Sequence, residues 1–228
     1  MSDYRNTTPY LAVIGDIKNS KQLTNRDSIQ INLKETLQWV NKRFAGSIAS
    51  KFTITLGDEF QGLLSNSEPL FSILQEIERV MYPVRIRFGI GIGAIITEID
   101  PDFALGADGP AYYNARIAID YLKQSEKKNQ TEAADTRIVA GEDSRLPIDL
   151  LNNILLLLTT LKKGWSPQQR QVIGDMLTHR DTQSNVAKRL SIRQPSVQKS
   201  LSSGNYYAYI EAINVLNQNL QAVGWKHV

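Results

Sequence analysis

Apolar and polar positions follow two rhythms along this chain. Residues 10–17, YLAVIGDI, are a mostly apolar run rich in β-formers and predict a buried strand. From 27 to 44 the apolar positions take helical spacing, with Ile29, Leu33, Leu37, Val40 and Phe44 on one stripe. Thr24 or Asn25 stands where a helix cap belongs. Residues 50–64 read as a hairpin: an apolar strand, a Gly57-Asp58-Glu59 break and a second apolar strand. A second amphipathic helix covers 67–81, and Pro83 stops it. Residues 85–97 predict a long strand, 110–123 a helix and 136–141 a short last strand, with a polar loop over 123–136.

The order β α β β α β α β opens with the βαββαβ series of ferredoxin-like, palm-type sheets, which carry helices on one face. Beyond Leu146 only helical spacing remains: a long apolar helix at 149–163, three short segments at 166–179, 182–190 and 194–203, and a last helix at 206–222. The expected class is α+β, a palm-like domain over 1–143 followed by an all-α helix-turn-helix domain over 144–228.

Composition changes this picture in three ways. The 228 residues suffice for one medium domain and one small one. The absence of cysteine excludes disulfides and thiolate metal sites, and makes a reducing, cytoplasmic setting the expectation. No signal pattern opens the chain, and its longest apolar run, 150–161, falls short of the roughly 20 residues of a membrane span, so no membrane partner is expected. The net charge of +3 is uneven: residues 144–228 hold ten Lys/Arg against four acids, which suggests an anionic partner for that part.

Candidate chemistry begins with two carboxylates. Asp16 ends the first strand and Asp58 sits at the hairpin tip, each directly after a glycine. A βαββαβ sheet brings those strand ends to one edge. Paired carboxylates there suit Mg2+ (or Mn2+) and a nucleoside triphosphate, since that ion keeps few carboxylates and takes its other ligands from phosphate. The alternative is a strand-end cap and an ordinary turn. Glu59 is either a third ligand or solvent-facing. The expected metal set is Asp16, Ile17 and Asp58, with Asp16 and Asp58 as the catalytic pair. Lys18, Asn19 and Ser20 follow as a candidate phosphate cradle.

Two further stretches bear on a nucleotide. Gly89, Gly91 and Gly93 recur at period two and face one side of the sheet, which implies close approach by a helix or by a ligand. On the following helix, Asn114 and Arg116 lie on the first turns; Arg116 reaches either a phosphate or Asp120 at i,i+4. Tyr112 and Tyr113 either stack on a base or pack in the core.

With VIGDIKNSK, KFTITLGDEFQGLL, RIRFGIGIGAI and ADGPAYYNARIAI in hand, the chain resembles the SatD family over nearly its whole length. That family's name records a link to acid tolerance and gives no reaction. More remotely, the first 141 residues are similar to class III nucleotidyl cyclases and GGDEF diguanylate cyclases. In those enzymes an Asp on the first strand and an acid at the hairpin tip hold two Mg2+ and a nucleoside triphosphate. Asp16 and Asp58 fall on these positions. The departures are specific: Asn114 and Arg116 are two apart where the cyclase pair is four apart, aligning Arg116 puts Tyr112 at the Asn position, Ile54 falls where a lysine reads adenine, and Leu56-Gly57 replaces a glycine pair. The resemblance thus carries the metal pair and nucleotide binding, with Gly91, Asn114 and Arg116 on the nucleotide side. It does not carry the groups for cyclisation, and it implies a homodimer.

In the helical part, TQSNVAKRLSIRQPSVQKSL reads as a helix-turn-helix. Ala187 permits a close crossing, while Val186, Leu190, Ile192 and Val197 supply a small core. Gln194, Ser196, Gln198 and Lys199 face a groove, and Arg189 and Arg193 meet phosphate. The alternative is a helical interaction module without DNA. Together these features predict a nucleotide-responsive transcription regulator. The rival is an active nucleotidyl-transfer enzyme that dimerises through its C-terminal helices, and a third possibility is a scaffold with a vestigial site.

Overall fold

In the computed structural model, which describes residues 8–23, 25–128, 134–142, 144–223 and 225, the first strand is central. β1 (Tyr10–Ile17) is flanked by β3 (Glu59–Leu64) and β4 (Ile86–Gly93), both antiparallel to it; β2 (Ile48–Leu56) and β5 (Thr136–Ala140) lie outside them. The order is β2-β3-β1-β4-β5, with β5 parallel to β4. Every residue of β1 after Tyr10 is buried, which is why it reads as a continuous apolar run. Thr24 lies outside the described residues; Asn25 precedes the first helix but makes no side-chain cap.

Helices cover both faces. α1 (Arg26–Arg43) and α2 (Leu70–Met81) pack on the face of Leu11, Val13 and Ile17, as the βαββαβ order predicts. α3 (Pro110–Lys127) covers the opposite face, against Ala12 and Ile14. The three β4 glycines make this possible. A Cβ on Gly91 would stand 2.0 Å from the Ala111 carbonyl oxygen and 2.2 Å from the Ala115 nitrogen. The close approach they permit is therefore that of the α3 backbone, and no ligand reaches Gly91 from this side. Five residues of the predicted 85–97 strand fall outside β4, and α3 runs one turn beyond its predicted end at 123.

The helical half holds α4 (Ile148–Lys163), α5 (Pro167–His179), α6 (Gln183–Arg189), α7 (Gln194–Ser203) and α8 (Tyr206–Gln221). Its apolar clusters do not divide at 143/144. Leu151, Leu155 and Leu158 of α4, and Tyr209, Ile213 and Leu216 of α8, share one core with α1, α2 and the sheet. Only α5–α7, with the first turn of α8, build a separate small core from Val172, Ile173, Val186, Val197, Leu201 and Tyr206. A two-sided α4 explains this: its polar Asn152 exchanges two hydrogen bonds with the backbone of Ile138 in β5, at 2.8 and 2.9 Å. Among the described residues no helix is long and apolar enough to cross a membrane.

Candidate functional site

The sheet does bring Asp16 and Asp58 to one end. Asp16 is opposite Glu59 on β3 and opposite Arg87 on β4, and the Ile17 N–H donates to the Asp58 carbonyl at 2.9 Å. Gly57 supplies the positive φ of 52° that the tip requires. The Ser20 hydroxyl donates to the Asp58 carboxylate at 2.5 Å.

Asp16 is buried and its two oxygens are taken. One accepts from Arg87 Nη1, and the other pairs with Lys123 Nζ at 2.8 Å. Arg87 continues to Glu126, at 2.5 Å from Nη2 and 3.1 Å from Nε. Lys18 joins Glu126 to Asp135, 2.6 Å from each, and Arg85 also reaches Asp135 at 2.9 Å. The result is a chain of alternating charges that ties β1, β4, α3 and the start of β5 together. Beside it, Arg116 clamps the buried Glu59 through two bonds of 2.6 Å.

This arrangement bears on each expected ligand. A Mg2+ on Asp16 would stand about 2.1 Å from an oxygen that already faces a cation. Unit charges about 4 Å apart repel by about 4 kcal/mol at an effective dielectric of 20, and a divalent ion doubles that. As arranged, Asp16 does not fit a divalent ion. Among the described residues no group of three or more His, Asp or Glu side chains is placed to hold a metal. Of the nucleotide set, Lys18 is spent on Glu126 and Asp135, Ser20 on Asp58, and Arg116 on Glu59 rather than Asp120. The Asn114 amide donates to the Ile92 carbonyl at 2.8 Å, Gly91 lies under α3, and Asn19 is exposed in a left-handed conformation. Tyr112 belongs to the core, where burial pushes its phenol up, while Tyr113 is exposed and donates to Asp108.

Sequence reasoning missed Arg85, Arg87, Lys123, Glu126 and Asp135. A signal existed for two of them. Arg87 is two residues before Gly89, hence on the glycine face, and Glu126 is one turn past Leu122 on α3. Burial works against the Asp135 and Glu126 carboxylates, but Lys18 and its neighbouring cations more than offset it, so both are held below the usual carboxylate range. A depressed carboxylate adds stability above its unfolded pKa of about 4 and loses it as pH falls below. We therefore expect Tm to drop as pH falls from about 4 toward 3, and Lys18→Met to lower Tm at pH 7 while flattening that acid limb. Calorimetric Tm against pH measures both.

The second candidate surface lies on α7. Thr182 caps α6, accepting from Asn185 at 3.3 Å. A tight turn through Ser191, φ 53°, leads to α7 with Pro195 in its first turn. Val186, Ala187 and Val197 are buried between the helices, with Leu190 and Ile192 packed against them. Arg193, Gln194, Gln198 and Lys199 are exposed, and Ser196 is half-buried. Gln183 of α6 donates to Gln198 at 2.5 Å and accepts from Gln194 at 3.2 Å. Arg193 and Lys199 make no ion pair among the described residues. Arg189 departs from expectation: its guanidinium grips Asp175 of α5 at 2.6 Å and Asp181 at 2.7 Å, which locks α6 to α5 and leaves it no fork for phosphate.

Comparison with known proteins adds little detail and one firm conclusion. No curated protein matches. The guanylate cyclase domain of RhGC from Catenaria anguillulae, solved in complex with GTP, is 14% identical, with a TM-score of 0.35 over 48% of this chain and 71% of that one. A regulator of polyketide synthase expression from Bifidobacterium adolescentis is 12% identical, with a TM-score of 0.29 over 94% of this chain and 87% of that one. The sequence model of the SatD family, by contrast, matches residues 10–220, and the chain belongs to the SatD family.

Proposed function

We propose that this protein is a DNA-binding regulator in which α6 and α7 form the helix-turn-helix and the sheet domain responds to a small ligand. The observation that carries this is the outer surface of α7. Arg193, Gln194, Gln198 and Lys199 are all exposed, while Val197 and Leu201 of the same helix are buried. They stand in a region with ten Lys/Arg against four acids. In this reading Gln194 and Gln198 meet base edges, pre-set by their bonds to Gln183, and Arg193 and Lys199 hold phosphates. Arg189 serves the module by fixing α6 on α5. Two copies would read half-sites roughly 34 Å apart.

Fluorescence anisotropy with duplexes selected from a random pool tests the reading. Arg193→Ala with Lys199→Ala is expected to weaken binding by about tenfold or more near 0.1 M salt, without changing Tm. Equal affinity in the variant would reject α7 as the DNA surface.

The meeting of Asp16 and Asp58 at one sheet end favours a second reading, a metal-dependent nucleotidyl-transfer enzyme. It demands that Arg87 and Lys123 first release Asp16. Pyrophosphate released from a nucleoside triphosphate with Mg2+ or Mn2+, and lost in Asp58→Ala, would support it.

A further inference from the structure

A cleft of about 570 Å³ opens between α2 and α5, and a second of about 640 Å³ continues it toward Phe44. Trp39, Gln75, Glu76, Arg79, Leu177 and Thr178 line both. Such volumes suit a small organic ligand. The groups at the sheet end are paired with one another, whereas this cleft keeps aromatic surface open: Trp39 is 44% and Tyr82 49% exposed. Trp165 and Tyr209, packed edge to face at 5.2 Å, also line it.

Its polar chemistry is balanced. Three Lys/Arg and three acids line the first cavity, and two opposite pairs close on each other: Lys162 with Glu78 at 2.5 Å and Arg79 with Glu76 at 2.6 Å. Arg170 lies 4.8 Å from the centroid of Tyr82, and its Nε is buried with no hydrogen-bond partner among the described residues. A lining of stacking faces, amides and self-neutralised charges favours an uncharged, planar ligand rich in donors and acceptors. It disfavours a polyphosphate, because Arg79 and Lys162 of the first cavity are already paired with Glu76 and Glu78.

The cleft wall is also mechanically linked to α7. The Arg79 stem lies on Gly174 of α5, 3.1–3.2 Å from where a Cβ would stand. The next residue, Asp175, holds Arg189 of α6, and α6 leads through one tight turn to α7. We propose that this cleft binds a nucleoside, and that binding moves α5 and so alters the presentation of α7. The DNA part rests on the regulator reading; the ligand part stands without it.

Calorimetric titration of the full chain with adenosine, guanosine, cytidine and uridine, then with their 5′-triphosphates, tests the ligand part. At least one nucleoside should bind and quench fluorescence, since two of the three tryptophans line the cleft. Its triphosphate should bind about tenfold more weakly, and Trp39→Ala should cost about tenfold while Trp39→Phe retains binding. No binding by any nucleoside at about 1 mM, or wild-type affinity in both Trp39→Ala and Tyr82→Ala, would overturn the site. The coupling is read by DNA anisotropy with and without the bound nucleoside: a change of about fivefold or more is expected, and none would overturn it. A chain that binds the nucleoside but no DNA would reject the regulator reading and leave the cleft assignment standing.

Discussion

Gly91→Ala is expected to lower stability by more than about 3 kcal/mol. The added Cβ would meet the Ala111 carbonyl oxygen at 2.0 Å and the Ala115 nitrogen at 2.2 Å. Both are backbone atoms of α3, so no side-chain rotation relieves the clash and the whole helix must retreat. Retreat opens the contact of Ala111, Ala115 and Ile119 with Ala12 and Ile14, all of them buried. A gap of only 0.5–1 Å forfeits roughly a quarter to a half of each dispersion contact it separates. Gly46→Ala is the control, because nothing lies within 4 Å of its added methyl. It should change stability by no more than about 0.5 kcal/mol. Urea unfolding separates the two. A Gly91→Ala midpoint equal to wild type would mean that α3 does not rest on β4.

Arg87→Met should cost about 3 kcal/mol. The guanidinium is 10% exposed and serves two acids, Asp16 at 8% and Glu126 at 25% exposure. Removing it leaves Asp16 to the part-exposed Lys123 and Glu126 to Lys18, and strips the partner from one oxygen of each carboxylate. Arg116→Met gives the contrast. Its side chain is 44% exposed, so solvent screens its pair with Glu59 and the loss should be about 1 kcal/mol or less. A double-mutant cycle makes the argument specific. Asp16→Asn in the Arg87→Met background should restore about 1–2 kcal/mol by removing a buried carboxylate left with one oxygen unpaired. Further loss on adding Asp16→Asn would contradict the network.

Particular residues show how far the sequence could be read. Helical stripes and apolar runs placed the five strands and eight α-helices of the described residues; α1's stripe of Leu33, Leu37 and Val40 is fully inside, and β1 is buried on both faces. The glycine stripe was legible as close approach but not as whose. Period two cannot tell a helix backbone from a ligand, and the contact with α3 is one of tertiary packing. Asp16 and Asp58 were legible as neighbours through topology. Lys123 and Asp135 of the surrounding network were not, since the predicted helix stops at 123 and Asp135 follows a polar stretch with no pattern. Arg189 misled for a related reason. A basic residue on a helix-turn-helix reads as a phosphate contact until Asp175 and Asp181 are seen folded onto it. The core of α4 and α8 against the sheet was hidden because helical spacing reports that a face is buried, and not against what.

The most direct test of the central claim is the salt dependence of DNA binding by the intact chain. For wild type, log Kd against log salt should be linear, with a steep slope set by the number of phosphates held. In Arg193→Ala with Lys199→Ala the slope should fall by about two, one for each phosphate contact removed. Wild-type binding without salt dependence, or a slope unchanged in the double variant, would contradict the assignment of α7 as the DNA-reading helix.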